Sequence, residues 1–314
     1  MTQNFYSNSR RNFFSGALAS LIALTGVQAF AKRTTISSIP AKSARGYATW
    51  SHGLVHFYDN FNSLPDKGSI LGNPLVLLHQ APQSARQFES IYAPLANRSI
   101  RAIGIDIPGF GLSDPTPFVP NIDDWVPAVI AVLNHLDIDS CDVLGHHTGA
   151  LIATELALRN PDRVRNIILN GAFPINDEER QVGLESVRRR EINFEYKADG
   201  SHFIQTFMNR YNLYGSGADP KLITRIVVEK FQGFGPFWYG HAAAYRYDHA
   251  SSLQRLRHKT LLLTNTGDQI YKLTSRAHVL RPDFSYVELQ GGGVDIVDQQ
   301  SQQWCDAVVK FINS

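Results

Sequence analysis

The residues most able to do chemistry sit in glycine-rich turns. The densest such turn is Gly145-His146-His147-Thr148-Gly149, two adjacent imidazoles between two glycines. An imidazole changes charge near neutral pH, so it suits general acid–base work, and it can also form a covalent intermediate as a nucleophile. Carboxylates occupy similar settings. Asp106 opens Asp106-Ile107-Pro108-Gly109, Asp268 ends Thr266-Gly267-Asp268, and Asp295 follows the run Gly291-Gly292-Gly293 and Val294. His79-Gln80-Ala81-Pro82 closes an apolar run, and His241 and His249 lie in a stretch rich in charge and aromatic rings. Adjacent side chains on a tight turn usually point apart, and no Cys or carboxylate has metal-ligand spacing. No metal site is therefore expected at His146 and His147, even with His79 nearby.

Alternating apolar runs must position these groups. Residues 47–50 and 54–58 alternate like an antiparallel edge. Residues 74–78, 100–106, 141–144, 164–169, 260–264 and 286–289 are continuous apolar runs of the buried parallel-strand type. Between them, residues 84–95, 122–136 and 150–159 read as helices, the last stopped by Asn160-Pro161, and 303–312 as a closing helix. Strand alternating with helix predicts an α/β fold with a doubly wound, mostly parallel sheet. Residues 174–250 break the pattern: they hold helical stretches at 177–195 and 220–231 and no buried strand. They read as a helical cap inserted into a core made of 46–173 and 251–314. The two cysteines, Cys141 at a strand start and Cys305 in a helix, read as buried small apolar residues.

The turn at 145–149, between a strand and a helix, resembles the Gly-x-nucleophile-x-Gly elbow of α/β hydrolases, with Gly145 and Gly149 permitting the tight turn. His79-Gln80-Ala81-Pro82 resembles the His-Gly-x-Pro turn of the same fold, with Gln80 in place of glycine. Asp106-Ile107-Pro108-Gly109-Phe110-Gly111-Leu112-Ser113 resembles its Asp-x-Pro-Gly-x-Gly-x-Ser turn. The resemblance spans roughly residues 45–314 and implies an α/β-hydrolase fold of the ordinary single-domain type with a cap. It implies an oxyanion hole from the backbone N–H groups of Ala81 and Thr148, and a triad acid at Asp268. His79 and Asp106 read as structural.

Two positions depart from the ordinary triad. His147 stands where serine is usual, and Val294 stands where the triad histidine belongs. An imidazole reaches farther from the elbow than a serine hydroxyl, and Val294 leaves the intervening space free of a competing ring. A relocated dyad is the resulting expectation: Asp268 fixes one nitrogen of His147, and the other faces a carbonyl substrate. His147 then acts as general base toward water or as nucleophile through an acyl-imidazole. Asp295, His249, His241 and Gln80 are candidate auxiliary groups. Hydrolysis of an ester, lactone or related carbonyl substrate without a cofactor is the leading function. A catalytically inactive ligand-binding protein and a cofactor-free lyase or decarboxylase-like enzyme are the alternatives. In the cap, Phe231, Phe234, Phe237, Trp238 and Tyr239 either line a pocket or dock cap to core. Arg188-Arg189-Arg190 is either a solvated helix face or a patch for an anionic substrate.

Composition narrows the remaining classes. The chain has 314 residues, 43% hydrophobic and 18% charged, with a formal charge of +2. That surplus resides in Arg10 and Arg11, since residues 1–31 hold no acid, so net charge gives no reason to expect a nucleic-acid partner. Two cysteines exclude a disulfide framework. Residues 1–31 resemble a twin-arginine signal peptide: Arg10-Arg11 before Phe13-Phe14, an apolar run, then Ala29-Phe30-Ala31 as the cleavage site. The apolar run is about 15 residues, short of the roughly 20 that span a bilayer. The expectation is a periplasmic or secreted protein without a membrane span after cleavage at Ala31, with 32–45 as a lead-in and a small molecule as substrate or ligand.

Overall fold

The computed structural model describes residues 44–65, 72–214 and 218–314, all within a compact unit spanning Ile39–Ser314. The expected signal peptide, residues 1–31, and most of the expected lead-in lie outside the described residues. Eight strands form one sheet in the order β1-β2-β4-β3-β5-β6-β7-β8. These are β1 (Ala44–Trp50), β2 (Gly53–Asp59), β3 (Leu75–Leu78), β4 (Ala102–Ile105), β5 (Cys141–His146), β6 (Val164–Asn170), β7 (Lys259–Asn265) and β8 (Ser285–Leu289). β1 and β2 form the antiparallel edge, with Ala44 opposite Asp59 and Trp50 opposite Gly53, and every pair from β4 to β8 is parallel. The sheet thus begins at Ala44, two residues before the expected core boundary.

The continuous apolar runs are explained by burial on both faces. Val76, Leu78, Ile103, Ile105 and Val143 face one cluster, and Leu75, Leu77, Ala102 and Leu144 face the other. The first cluster is covered by α2 (Val126–His135) and α3 (Thr148–Arg159), the second by α1 (Tyr92–Ala96) and α11 (Ser301–Ile312). Cys141 and Cys305 are buried, and burial pushes both thiols up to about 12, so neither is a reactive thiolate at neutral pH.

One expected helix is broken. Residues 84–95 form a short 3-10 turn, Ala85–Phe88, and then α1. Pro94 explains the break. It lacks an N–H, and its ring would strike the carbonyl four residues back in a continuous helix, so the helix restarts with Pro94 in its first turn. Between β6 and β7 the regular elements among the described residues are helices, with α4 (Asp177–Val187), α5 (Ser201–Tyr214), α6 (Pro220–Gln232), α7 (Tyr239–Arg246) and α8 (His249–Arg255). α4 widens into a π turn over Arg188–Ile192, and α8 carries the helical insertion to Arg255, past the expected limit of 250. α9 (Tyr271–Leu280) and α10 (Ile296–Gln299) complete the core. None of the described helices is long and apolar enough to cross a membrane.

Candidate active site

The carboxyl ends of the parallel strands gather the chemistry, as open α/β sheets do. β3 delivers Gln80 and Ala81, β5 delivers His147, β6 delivers Gly171, β7 leads to Asp268, and the turn after β8 carries Val294 and Asp295. His147 occupies φ 48° and ψ −109°, a strained conformation for a residue with a side chain. The strain is held from both sides. The His147 N–H donates to the Asn170 carbonyl at 2.8 Å, which extends the β5–β6 ladder by one residue, and α3 begins at Thr148. The flanking glycines are obligatory, because a Cβ on Gly145 would lie 2.0 Å from the Gly149 carbonyl oxygen, and one on Gly149 would lie 2.0 Å from that of Leu78.

This elbow aims the imidazole at Asp268. His147 Nε2 lies 2.7 Å from Asp268 Oδ2, with the histidine side chain 17% exposed and the aspartate side chain fully covered. Asp268 Oδ1 accepts the Ile270 N–H at 3.0 Å. Burial opposes the Asp268 charge, but His147 and the Ile270 N–H outweigh it and hold the carboxyl below its ordinary range. The carboxylate therefore accepts and Nε2 carries the proton, so that in the neutral form of the ring Nδ1 holds the lone pair.

Gly171 makes this placement possible, and the sequence reading did not include it. At φ +84°, its missing Cβ would sit 2.4 Å from His147 Cδ2 and 2.9 Å from Nε2. A glycine two residues past the apolar run 164–169 was the available signal. Val294 is buried and lines the same cavity as His147. The His147 ring itself spans the distance from elbow to acid.

The inner cavity measures about 240 Å³ and is lined by Gln80, Ala81, Pro82, His147, Thr148 and Val294 from the core, with Arg210, His241 and Tyr245 from the insertion. The Ala81–Pro82 peptide is cis. Thr148 opens α3, where backbone N–H groups have no intrahelical acceptor, so the positive end of the helix faces the cavity beside His147.

Several expected groups stand elsewhere. Asp295 does not approach His147. It is buried and held by Arg210 from α5 through three contacts of 2.6–3.2 Å, by Gln80 Nε2 at 2.9 Å and by Gln83 Nε2 at 2.8 Å. Its charge is spent on docking α5, and Gln80 is spent with it. His249 is also sealed away: its Nε2 meets Thr154 Oγ1 at 3.0 Å and its Nδ1 accepts the Phe173 N–H at 3.1 Å. Burial pushes its pKa down to about 3, so it is neutral. His241 does reach the cavity, with Nδ1 2.8 Å from Glu191. His79 bridges strands, accepting the Ile107 N–H at 2.9 Å, and Asp106 accepts from Ala85 and Leu112.

His146 and His147 do not point apart as expected. Their rings meet edge to face at 4.6 Å, and His146, His147 and Asp268 bring potential ligand atoms within 4.8 Å of one another. The side chain of Gln87 donates to His146 Nδ1, leaving the buried Nε2 without a partner among the described residues. Burial drives His146 well below the usual histidine range, and the charges of His147 and Arg210 add to the effect. The 2.7 Å separation of His147 Nε2 and Asp268 Oδ2 is that of a charge-assisted hydrogen bond.

The cap aromatics divide. Phe231 and Phe237 pack with Phe194, Phe234 is 62% exposed, and Trp238 and Tyr239 pack on the core.

The fold and the elbow define a hydrolase-type scaffold. The family model for the alpha/beta hydrolase fold matches residues 73–281, and the chain belongs to that family. The 2-hydroxymuconate semialdehyde hydrolase of a Pseudomonas species is 34% identical over 132 residues, covering 40% of this chain and 44% of that protein. The haloalkane dehalogenase of Mycolicibacterium paratuberculosis is 31% identical over 115 residues, covering 35% and 37%. The chain thus spans less than half the length of these curated relatives. Among solved structures, an enol-lactonase from Burkholderia xenovorans superposes with TM-score 0.67 at 17% identity, covering 86% of this chain and all of that one. A thermophilic esterase from Thermogutta terrifontis gives 0.64 at 21% identity, covering 86% and 98%.

Proposed function

We propose that the protein hydrolyses an ester, lactone or related carbonyl substrate through a His147–Asp268 dyad. The carrying observation is the strained elbow that sets His147 Nε2 2.7 Å from Asp268 Oδ2. With the proton on Nε2, the Nδ1 lone pair removes a proton from water as the oxygen attacks the substrate carbonyl. The Ala81 and Thr148 N–H groups receive the resulting oxyanion. Collapse of the intermediate expels the leaving group, which takes the proton back from Nδ1. Asp268 stays ionised and balances the imidazolium, as the carboxylate does in the ordinary triad. Relatives named as hydrolases and dehalogenases support the reaction class. Residues 1–31 add the reading that the activity lies in the periplasm or outside the cell.

The test compares ester and lactone hydrolysis by the chain and by His147→Ala across pH. Turnover should fall toward acid pH as a proton occupies the lone pair, and the variant should lose it. Turnover that survives in His147→Ala removes the dyad from the mechanism. Absence of turnover in both proteins across a broad panel favours ligand binding or carbon–carbon chemistry instead.

A further inference from the structure

Outside the catalytic chamber lies a larger one of about 720 Å³, enclosed by α4, α5, α6 and α7. The two chambers share Pro82, Arg210, Leu213, His241, Tyr245 and Gln269 as lining, so a bound molecule passes from one to the other along a common wall. The charges around the outer chamber do not balance. Glu191 is committed to His241 at 2.8 Å, and Arg210 is committed to Asp295 behind the wall. Two cations are left over among the described residues. Arg190 is exposed and donates to Ser186 Oγ, whereas Lys230 is half-buried with no ion pair and no hydrogen bond, and both line the chamber.

The surroundings of Lys230 are apolar. The Lys230 ammonium lies 4.7 Å from the ring centre of Phe194, 5.2 Å from that of Phe231 and 4.3 Å from that of Phe237. Three aromatic faces stabilise a cation but accept none of its N–H bonds in the strong sense. Burial lowers the Lys230 pKa, with Glu191 opposing, which marks a charge short of solvation. A half-buried ammonium with unspent donors, held by rings at one end of a cavity, is a counter-charge awaiting an anion.

We propose that the outer chamber is a carboxylate subsite, in which Lys230 binds the acid group of a substrate whose scissile carbonyl lies at His147. The inference rests on the hydrolytic reading of that site and names its substrate class: an ester or lactone bearing a carboxylate, joined to the reacting carbonyl by an apolar segment along the Leu213 and Phe237 walls. The carboxylate gains charge-assisted hydrogen bonds, and the apolar chain meets apolar walls.

Binding, not turnover, decides the matter, so it stays separate from the dyad. Suberate and adipate are titrated calorimetrically into His147→Ala, with the corresponding diamides as uncharged controls. The dicarboxylates should bind, and the diamides should bind at least about tenfold more weakly. Adding Lys230→Met, which keeps length and apolar packing, should weaken dicarboxylate binding by about tenfold or more, whereas Lys230→Arg should retain it. With an active elbow, Lys230→Met should also lower the ratio of kcat/KM for a half-ester to that for its neutral diester by a similar factor. Diamides binding as well as dicarboxylates, or Lys230→Met binding them as tightly as its parent while showing an unaltered circular dichroism spectrum, overturns the proposal. Lys230→Gln is the second variant if Lys230→Met does not fold. If the chain binds dicarboxylates through Lys230 but hydrolyses nothing, the subsite stands and the dyad fails.

Discussion

Replacing Asp268 by Asn interrogates the dyad most sharply, because the surroundings dictate how the amide turns. Oδ1 accepts the Ile270 N–H at 3.0 Å, and Oδ2 faces His147 Nε2 at 2.7 Å. In Asp268→Asn the amide oxygen keeps the Ile270 N–H, so the amide NH2 is presented to Nε2. Nε2 must then accept, the ring proton moves to Nδ1, and the lone pair that the proposed general base requires there is lost. Removal of general-base function costs about 10²–10⁴ in rate, equivalent to about 3–5 kcal/mol of transition-state stabilisation. KM should change little, because the Asp268 side chain is fully covered and lies behind His147. Steady-state kinetics on the best ester or lactone, with thermal denaturation as the folding control, measures both. A kcat within about twofold of the parent would mean that Asp268 neither sets the tautomer nor balances the imidazolium, and the dyad would be refuted.

Gly171→Ala should push the His147 ring off line, since the new Cβ meets Cδ2 at 2.4 Å. We expect kcat to fall about 10–100-fold and stability by about 1–2 kcal/mol for the positive φ. An unchanged kcat in a folded variant would show that the ring position is not critical. Arg210→Met leaves the Asp295 carboxylate buried with only amide donors from Gln80 and Gln83, at a cost of about 3–5 kcal/mol in urea unfolding. A loss under about 1 kcal/mol would mean that the pair is readily replaced by water. Burial pushes the Glu229 carboxyl up to about 7. Arg225 and Arg86 stand off at 3.6 and 3.8 Å, and Glu229 Oε1 has no hydrogen bond among the described residues, so they do not overcome burial. A folded pKa above the ordinary 4.5 favours folding fully below that value, and the contribution is lost as pH rises through about 7. This group alone should cost about 3 kcal/mol of stability across that window, and Glu229→Gln should flatten the slope. The same pH dependence of the unfolding free energy in the parent and in Glu229→Gln would refute the assignment.

Much of the scaffold was legible along the chain because its cause is local or periodic. Runs such as Leu75–Leu78 are apolar at every position because both sheet faces are covered, and that pattern needs no partner to be recognised. The elbow was legible because Gly145 and Gly149 must lack side chains for the turn to close, and Asp268 because it follows a buried strand. The helix over 84–95 failed on a single local detail, the proline at 94.

What the chain order could not reveal are the pairings set by approach in space. Asp295, His249 and His241 looked equivalent as spare groups near a missing histidine. Arg210, some 85 positions away, takes Asp295; Thr154 and the Phe173 N–H take His249; only His241 reaches the cavity. The same holds for Gly171, whose absent Cβ leaves the volume that the His147 ring fills, and for Lys230, which has no counter-ion among the described residues because the nearby Glu191 pairs with His241. Residue type and spacing determine which elements form and which side chains can react. Which charges are neutralised, and which are left facing a cavity, depends on desolvation and ångström-scale distances that exist only after the sheet and its helical insertion have packed.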